Sequence, residues 1–355
     1  MIRTTQLFAA AALGIVLGAS ACHNDELFRP ANFVPIDPLF ERYVSMGNSI
    51  TAGFQSAGIN DSTQLQAYPV LLANAMGSPF FPPLLTRPGC PPPFTNAFTG
   101  TRVTPLGYPT STATSCYLRQ ARSVPQPYVS NTAVPGAEVL DIYNNLDTAS
   151  NPNALTTLML GGLTQTQMEA RAHPTFVTVW IGNNDVLGAA TNSANGGDST
   201  KITPVTAFQA RYTSMLDSVA AVGLRGGVLI GVANVTSIPF FSRGSTYYTA
   251  DSAGQIPGPF TAAASCQGPA GDSVLVPFPF GAALVGGGGT LTCTEPQTVQ
   301  PAELRKLVST VIAYNAFISS TAAARNWAYY DPNPALDSLR LVPTAVRPFP
   351  LIGAP

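Results

Sequence analysis

Apolar residues along the chain follow two periodicities. Three short runs are dense and largely β-branched or aromatic: Tyr43–Met46 ahead of Gly47, Phe176–Ile181 ahead of Gly182, and Val228–Val232. Such runs predict strands buried on both faces, as in a parallel sheet. Tyr128–Val134 reads as a further strand running towards Gly136, followed by a helix through Leu146, and Trp327–Tyr330 reads as the last strand. Elsewhere apolar positions recur at helical spacing. Ala67–Met76 carries Val70, Leu71 and Met76 in that pattern. Pro204 opens a helix to Val222, with Thr203 as N-cap and Phe208, Met215, Leu216 and Val219 on one side. Pro301 opens a longer helix with Leu304, Leu307, Val308, Val311 and Ile312 at i, i+3, i+4 spacing.

Strand then helix, repeated, predicts an α/β fold, a three-layer αβα domain around a mostly parallel sheet. Two stretches rich in glycine and proline, about 78–127 and 236–299, interrupt that alternation and are expected as loop-rich insertions. No internal repeat occurs, and 42–355 reads as one domain.

Composition narrows the function classes. The chain has 355 residues, 45% hydrophobic and 10% charged, with a net charge of −1. That balance gives no broad basic field, so no nucleic-acid partner is expected. The charged fraction is far below the roughly 25% of ordinary soluble domains, which argues against a charge-driven disordered chain.

The N-terminus reads as a lipoprotein signal peptide over 1–21. Arg3 precedes the apolar run Leu7–Leu17, and small Ala19, Ser20 and Ala21 precede Cys22. The run is shorter than the about 20 residues a membrane span needs. Cys22 is expected to carry a lipid anchor, with 22–41 as a tether containing Pro30, Pro35 and Pro38. The competing reading is an ordinary signal cleaved nearby, with Cys22 a spare thiol. No later segment reads as a span, since Val274–Leu291 is broken by Pro277, Pro279 and a four-glycine run. The expected location is the bacterial cell envelope, with the membrane as partner through Cys22. Four cysteines remain after Cys22: Cys90, Cys116, Cys266 and Cys293. An even number in an exported protein suggests two disulfides, with three pairings open. Nearest-neighbour pairing would tie down one insertion loop each. Metal binding is the poorer reading, with no C-x-x-C pair and only two histidines.

Candidate chemistry sits at three strand ends. No G-x-S-x-G occurs, and Gly286–Gly289 leads to Thr290 without the lysine of a phosphate-binding loop. The strand ends are Gly47-Asn48-Ser49-Ile50, Asn131-Thr132-Ala133-Val134-Pro135-Gly136, and Gly182-Asn183-Asn184-Asp185. In a parallel sheet all three lie at the carboxyl edge, where ligands bind. A serine hydroxyl, a main-chain amide and a carboxamide could meet there, which is the set acyl transfer needs. Taken one at a time, these glycines could simply permit turns, Ser49 could be a helix N-cap and Asn184 a turn residue.

From about Tyr43 to Asp331 the sequence resembles an SGNH (GDSL-type) hydrolase. The family's G-D-S-L block stands here as Gly47-Asn48-Ser49-Ile50, with Asn48 where aspartate is usual. The resemblance implies a flavodoxin-like sheet, Ser49 as nucleophile, and an oxyanion hole of the Ser49 N–H, the Gly136 N–H and the Asn184 side chain. It implies no metal or organic cofactor. The family's remaining element is an Asp-x-x-His near the C-terminus that supplies the general base. This chain has only His23, on the tether, and His173, ahead of the run Phe176–Ile181. That run spans about 20 Å at ~3.3 Å per residue, which puts His173 at the opposite sheet edge from Ser49. Asp331 and Asp337 are not followed by histidine at the required spacing. The catalytic His and Asp are therefore absent from this chain, and the sequence is read as truncated before that block.

The functional expectation is a carboxylic-ester hydrolase acting through an acyl-enzyme on Ser49. Short-chain esters, lipid esters or acetylated polysaccharide are the candidate substrates. Aromatic residues of the insertions, Phe80, Phe81, Phe94, Phe240, Phe241, Tyr247 and Tyr248, would line the entrance or pack the insertions onto the sheet. The alternative on the same fold is a non-catalytic envelope lipoprotein that binds a ligand or carbohydrate.

Overall fold

The computed structural model describes residues 36–105, 111–112, 114–116, 126–342 and 349–351. The signal peptide, Cys22 and His23 lie outside them. From Pro38 onward the chain forms one compact unit. Its centre is a four-stranded parallel sheet of β1 (Tyr43–Gly47), β2 (Phe176–Trp180), β3 (Gly226–Ile230) and β4 (Ala328–Tyr330), adjacent in that order. Tyr43 pairs with Phe176 and Gly47 with Trp180, so β1 and β2 end level at their carboxyl ends.

Side-chain alternation sends β1 and β2 into two cores. Val44, Met46, Val177 and Val179 share one with Leu229 and with residues of three helices, α3 (Gln165–Ala172), α5 (Val205–Ala220) and α6 (Pro301–Ala324). Tyr43 and Phe176 enter the other, against Ala73 of α2 (Tyr68–Met76). The three-layer αβα architecture expected from the sequence is thus present. Phe208, Met215, Leu216 and Val219 of α5 are all fully buried. In α6 the 24 residues are apolar enough to cross a membrane by length and composition, which the sequence reading passed over. Leu307, Val311, Tyr314 and Ile318 nonetheless form its buried face within the main core.

Several expectations shift. The stretch Tyr128–Val134 makes a single parallel bridge, Ser45 with Asn131, rather than a strand. Thr132 and Val134 donate to Ser45 O and Gly47 O as a parallel strand would, but the donors that would extend the ladder go elsewhere, the Ser130 N–H to Phe81 O and the Gly47 N–H to Gln165 Oε1. The helix expected through Leu146 shortens to the 3₁₀ turn Leu140–Ile142. There Asn144 Oδ1 accepts the N–H groups of Leu146 and Asp147 and turns the chain out. Thr203 does not cap α5; Pro204 holds that position, and the Thr203 N–H donates to Asp185 O. In α2 the buried positions are Pro69 and Ala73, while Leu71 faces solvent. Leu39 and Phe40, assigned to the tether, pack on the fold, with the Phe40 ring edge-on to Phe176 at 5.0 Å.

The second insertion is more ordered than its composition suggests. It holds helices Gly244–Ser252 and Phe278–Gly287 and a core of its own around Tyr247, Phe260, Val276 and Leu291. Gly281 is what lets its second helix close, since a Cβ there would collide with the Tyr247 hydroxyl. Both nearest-neighbour disulfides form, Cys90–Cys116 and Cys266–Cys293.

Candidate functional site

Ser49 owes its position to Gly47. A side chain at Gly47 would place its Cβ 2.4 Å from Trp180 O and 2.5 Å from Thr51 Oγ1, so only glycine lets β1 turn against β2 here. Asn48, extended and buried, caps the short helix α1 (Ser49–Ala52) through Oδ1, which accepts the Ile50 N–H at 3.2 Å. Ser49 is the first residue of that helix and half-buried. Its own N–H lies where an α-helix offers no internal acceptor. The cap is therefore Asn48 and not Ser49.

Gly136 follows the Ser45–Asn131 bridge. Its φ is +88° and it is exposed. Asn153 Nδ2 donates to Pro135 O at 2.9 Å. In a trans peptide C=O and N–H point opposite ways, so the Gly136 N–H projects away from Asn153.

Asn184 opens α4 (Asn184–Ala190) just beyond β2. Its Nδ2 donates to Ala137 O at 2.8 Å. A carboxamide carries two N–H donors, so this bond fixes the group and leaves one for a ligand. Asp185, fully buried, accepts the Val139 N–H through Oδ2 at 3.0 Å. Burial pushes the Asp185 carboxyl up to about 7, and nearby Glu138 adds to the rise.

Hydrogen bonds close a ring around the three junctions. Val134 N donates to Gly47 O at 3.2 Å and Asn131 Nδ2 to Thr51 O at 2.8 Å, joining the Ser49 turn to the segment ahead of Gly136. Asn184 and Asp185 join the residues just after Gly136, Ala137 and Val139, to the end of β2. Register pairing of Gly47 with Trp180 joins the end of β2 back to β1. The two strand ends and the Gly136 loop singled out by sequence are thus direct neighbours at one edge.

Other residues fall elsewhere. His173 is exposed at the left-handed C-cap of α3, ahead of the amino end of β2. Five residues of β2, about 16 Å at ~3.3 Å each, separate that end from the edge bearing Ser49. Asp331 follows β4 and accepts the Asn333 N–H at 3.0 Å. Among the described residues no group of three or more His, Cys, Asp or Glu is placed to hold a metal ion. Most insertion aromatics act in packing. Phe80 stacks on Tyr43, Phe81 meets Tyr128 edge-on, Arg102 lies 3.8 Å over the Phe94 ring, and Tyr247 is fully buried.

Sequence reasoning gave no role to Asn153, Asp185 or Gln165. Asn153 and Gln165 sit in no motif. Asp185 lies inside the third one and carried its own signal, an acidic residue directly after a buried strand end.

No protein-family model matches the chain, and no curated protein matches it. Solved structures of similar shape include a catalytic mutant of the acetylxylan esterase Axe2 from Geobacillus stearothermophilus, with 13% identity over 87% of this chain and 86% of that one and a TM-score of 0.38. Another is phospholipase A1 from Streptomyces albidoflavus, with 16% identity over 86% of this chain and 84% of that one and a TM-score of 0.38. Likeness at this level says nothing of the substrate of the present chain.

Proposed function

We propose that the protein is a carboxylic-ester hydrolase with Ser49 as nucleophile. The observation that supports this is the hydrogen-bonded ring joining the Ser49 turn, the Gly136 loop and Asn184 at one sheet edge. In this reading Ser49 Oγ attacks the ester carbonyl and its proton passes to a base. The Ser49 and Gly136 N–H groups and the free Asn184 N–H receive the oxyanion. The alcohol leaves with a proton, and water then cleaves the acyl-enzyme to release the acid. Short-chain acyl, lipid or acetylated polysaccharide esters are the substrate classes.

No residue of this chain is assigned as the base. His173 stands at the wrong edge to serve. We further propose that the protein is exported and anchored through a lipid on Cys22; the two disulfides suit an oxidising compartment. The experiment is hydrolysis of p-nitrophenyl acetate by the full-length protein, with and without Ser49→Ala. A loss of about 10⁴-fold or more in kcat is expected. Equal rates above background would remove Ser49 from the chemistry, and no turnover by either form would put the non-catalytic binding reading in its place.

A further inference from the structure

We propose that Gln165 is the positioning residue for the Ser49 turn, an inference that rests on the ester-hydrolase reading. Gln165 opens α3, is buried, and lies 118 residues from its partner in sequence. Its Oε1 accepts the Gly47 N–H at 2.9 Å, and its Nε2 donates to Gly47 O at 2.8 Å. One side-chain amide thus holds both peptide groups that flank the Gly47 Cα.

That geometry acts on the two torsions that set where Ser49 lies. The Gly47 N–H belongs to the peptide before the Cα and its C=O to the peptide after it. Fixing both fixes φ and ψ together. Gly47 is the residue at which the chain leaves β1, and Ser49 follows two residues on. Sterics allow only glycine there, and glycine has the freest backbone of any residue. The turn therefore needs stiffness from outside itself. β2 and Val134 supply part of it, through the pairing with Trp180 and the bond to Gly47 O. Among the described residues, Gln165 alone reaches both sides of the Cα. A shift of about 1 Å in a reacting group can lower a rate ~10²-fold, so a clamp at this pivot bears directly on the Ser49 Oγ and N–H.

The test uses Gln165→Met and Gln165→Glu in the full-length protein. Gln165→Met removes both bonds and keeps the bulk. It should lower kcat for p-nitrophenyl acetate by about 10–100-fold with KM within about twofold, and speed amide exchange at residues 47–49. Gln165→Glu keeps the acceptor for the Gly47 N–H. Its carboxylate has no donor for Gly47 O, and only the protonated acid regains one. Its kcat relative to the unsubstituted enzyme should therefore rise as pH falls, a dependence that a merely space-filling role would not give. A folded Gln165→Met with unchanged kcat and unchanged exchange at 47–49 overturns the proposal, as does a flat Gln165→Glu ratio. Failure of the hydrolase reading shows itself separately, as an unsubstituted enzyme whose rate is indifferent to Ser49→Ala; the exchange measurement then decides the clamp alone.

Discussion

Asp185 Oδ2 accepts the backbone N–H of Val139 at 3.0 Å across 46 residues of sequence. Its neighbour Asn184 holds Ala137 O at 2.8 Å. Two consecutive side chains at the end of β2 therefore grip alternate residues of the loop that carries Gly136. The Gly136 amide, turned by Asn153 through Pro135 O, is thus followed by a segment held from outside its own loop, by the strand end next to β1.

Asn184→Ala should act on this arrangement twice. It removes a proposed oxyanion donor and the tie to Ala137. A kcat loss of about 10²–10³ is expected, the usual effect of deleting one such donor. Asn184→Asp keeps the shape but sets a second acceptor against Ala137 O, and should be at least as damaging. Steady-state hydrolysis of p-nitrophenyl acetate checks both. Rates equal to the unsubstituted enzyme would take Asn184 out of the site.

Gly47→Ala should fail at the level of folding. The added Cβ would sit 2.4 Å from Trp180 O, a backbone atom inside the sheet. Neither strand can give way without breaking the pairing of Gly47 with Trp180. Overpacking of this kind costs typically 1–3 kcal/mol or more. Urea unfolding should show at least that loss, and a variant of unchanged midpoint would mean that the turn is softer than its contacts indicate.

What the sequence revealed and what it hid divide along physical lines. β1, β2, α5 and α6 were legible because a fully buried strand or helix face must be apolar at every turn of its period. That the segments bearing Ser49, Gly136 and Asn184 share one sheet edge was legible because glycine or asparagine just after an apolar run leaves a local mark. Tyr128–Val134 was read as a strand because the partners that take the extending donors, Phe81 O for the Ser130 N–H and Gln165 Oε1 for the Gly47 N–H, lie far off in sequence. The ties made by Gln165 and Asn153 left no pattern, since each joins segments far apart in sequence. The helices Gly244–Ser252 and Phe278–Gly287 were hidden by glycines that serve close packing, as Gly281 does against Tyr247.

Glu169 gives a pH prediction. It lies on α3, fully buried, and neither carboxyl oxygen has a hydrogen-bond partner among the described residues. Burial pushes it up to about 8 from the ordinary 4.5. The folded state thus keeps its proton over a range where the unfolded chain releases it. Its contribution to stability is present in full below about pH 4.5 and is lost as pH rises towards 8. Glu169→Gln removes the titration at little change in shape. At pH 8 it should be more stable than the unsubstituted protein by roughly 1–3 kcal/mol, the gap closing by about pH 4. Chemical denaturation at several pH values measures this, and a gap independent of pH would mean that Glu169 finds a compensating partner.

Cys22→Ser tests the anchor. Expressed with its own leader in a bacterial host, the unsubstituted protein should partition with membranes and into detergent. Cys22→Ser should lose that partition while retaining the fold from Pro38 onward. A single myristoyl-length chain binds only marginally, so firm retention would also require more than one acyl chain on the cysteine. Equal partition of the two proteins would rule out lipidation at Cys22.

The Cys266–Cys293 bridge should stabilise its insertion more than the sheet. Both sulfurs are buried in the separate core with Tyr247, Phe260 and Leu291. The bridge closes a loop with a sequence separation of 27. Chain entropy alone assigns roughly 3 kcal/mol to a loop of that size. Replacing both cysteines with alanine should therefore raise amide exchange across Gly244–Leu291 strongly. β1 and β2 belong to the main core and should keep their protection, because neither strand contributes to the insertion core. Exchange that rises equally in the sheet and the insertion would show that the two cores unfold as one unit, and would make the bridge a determinant of the whole fold.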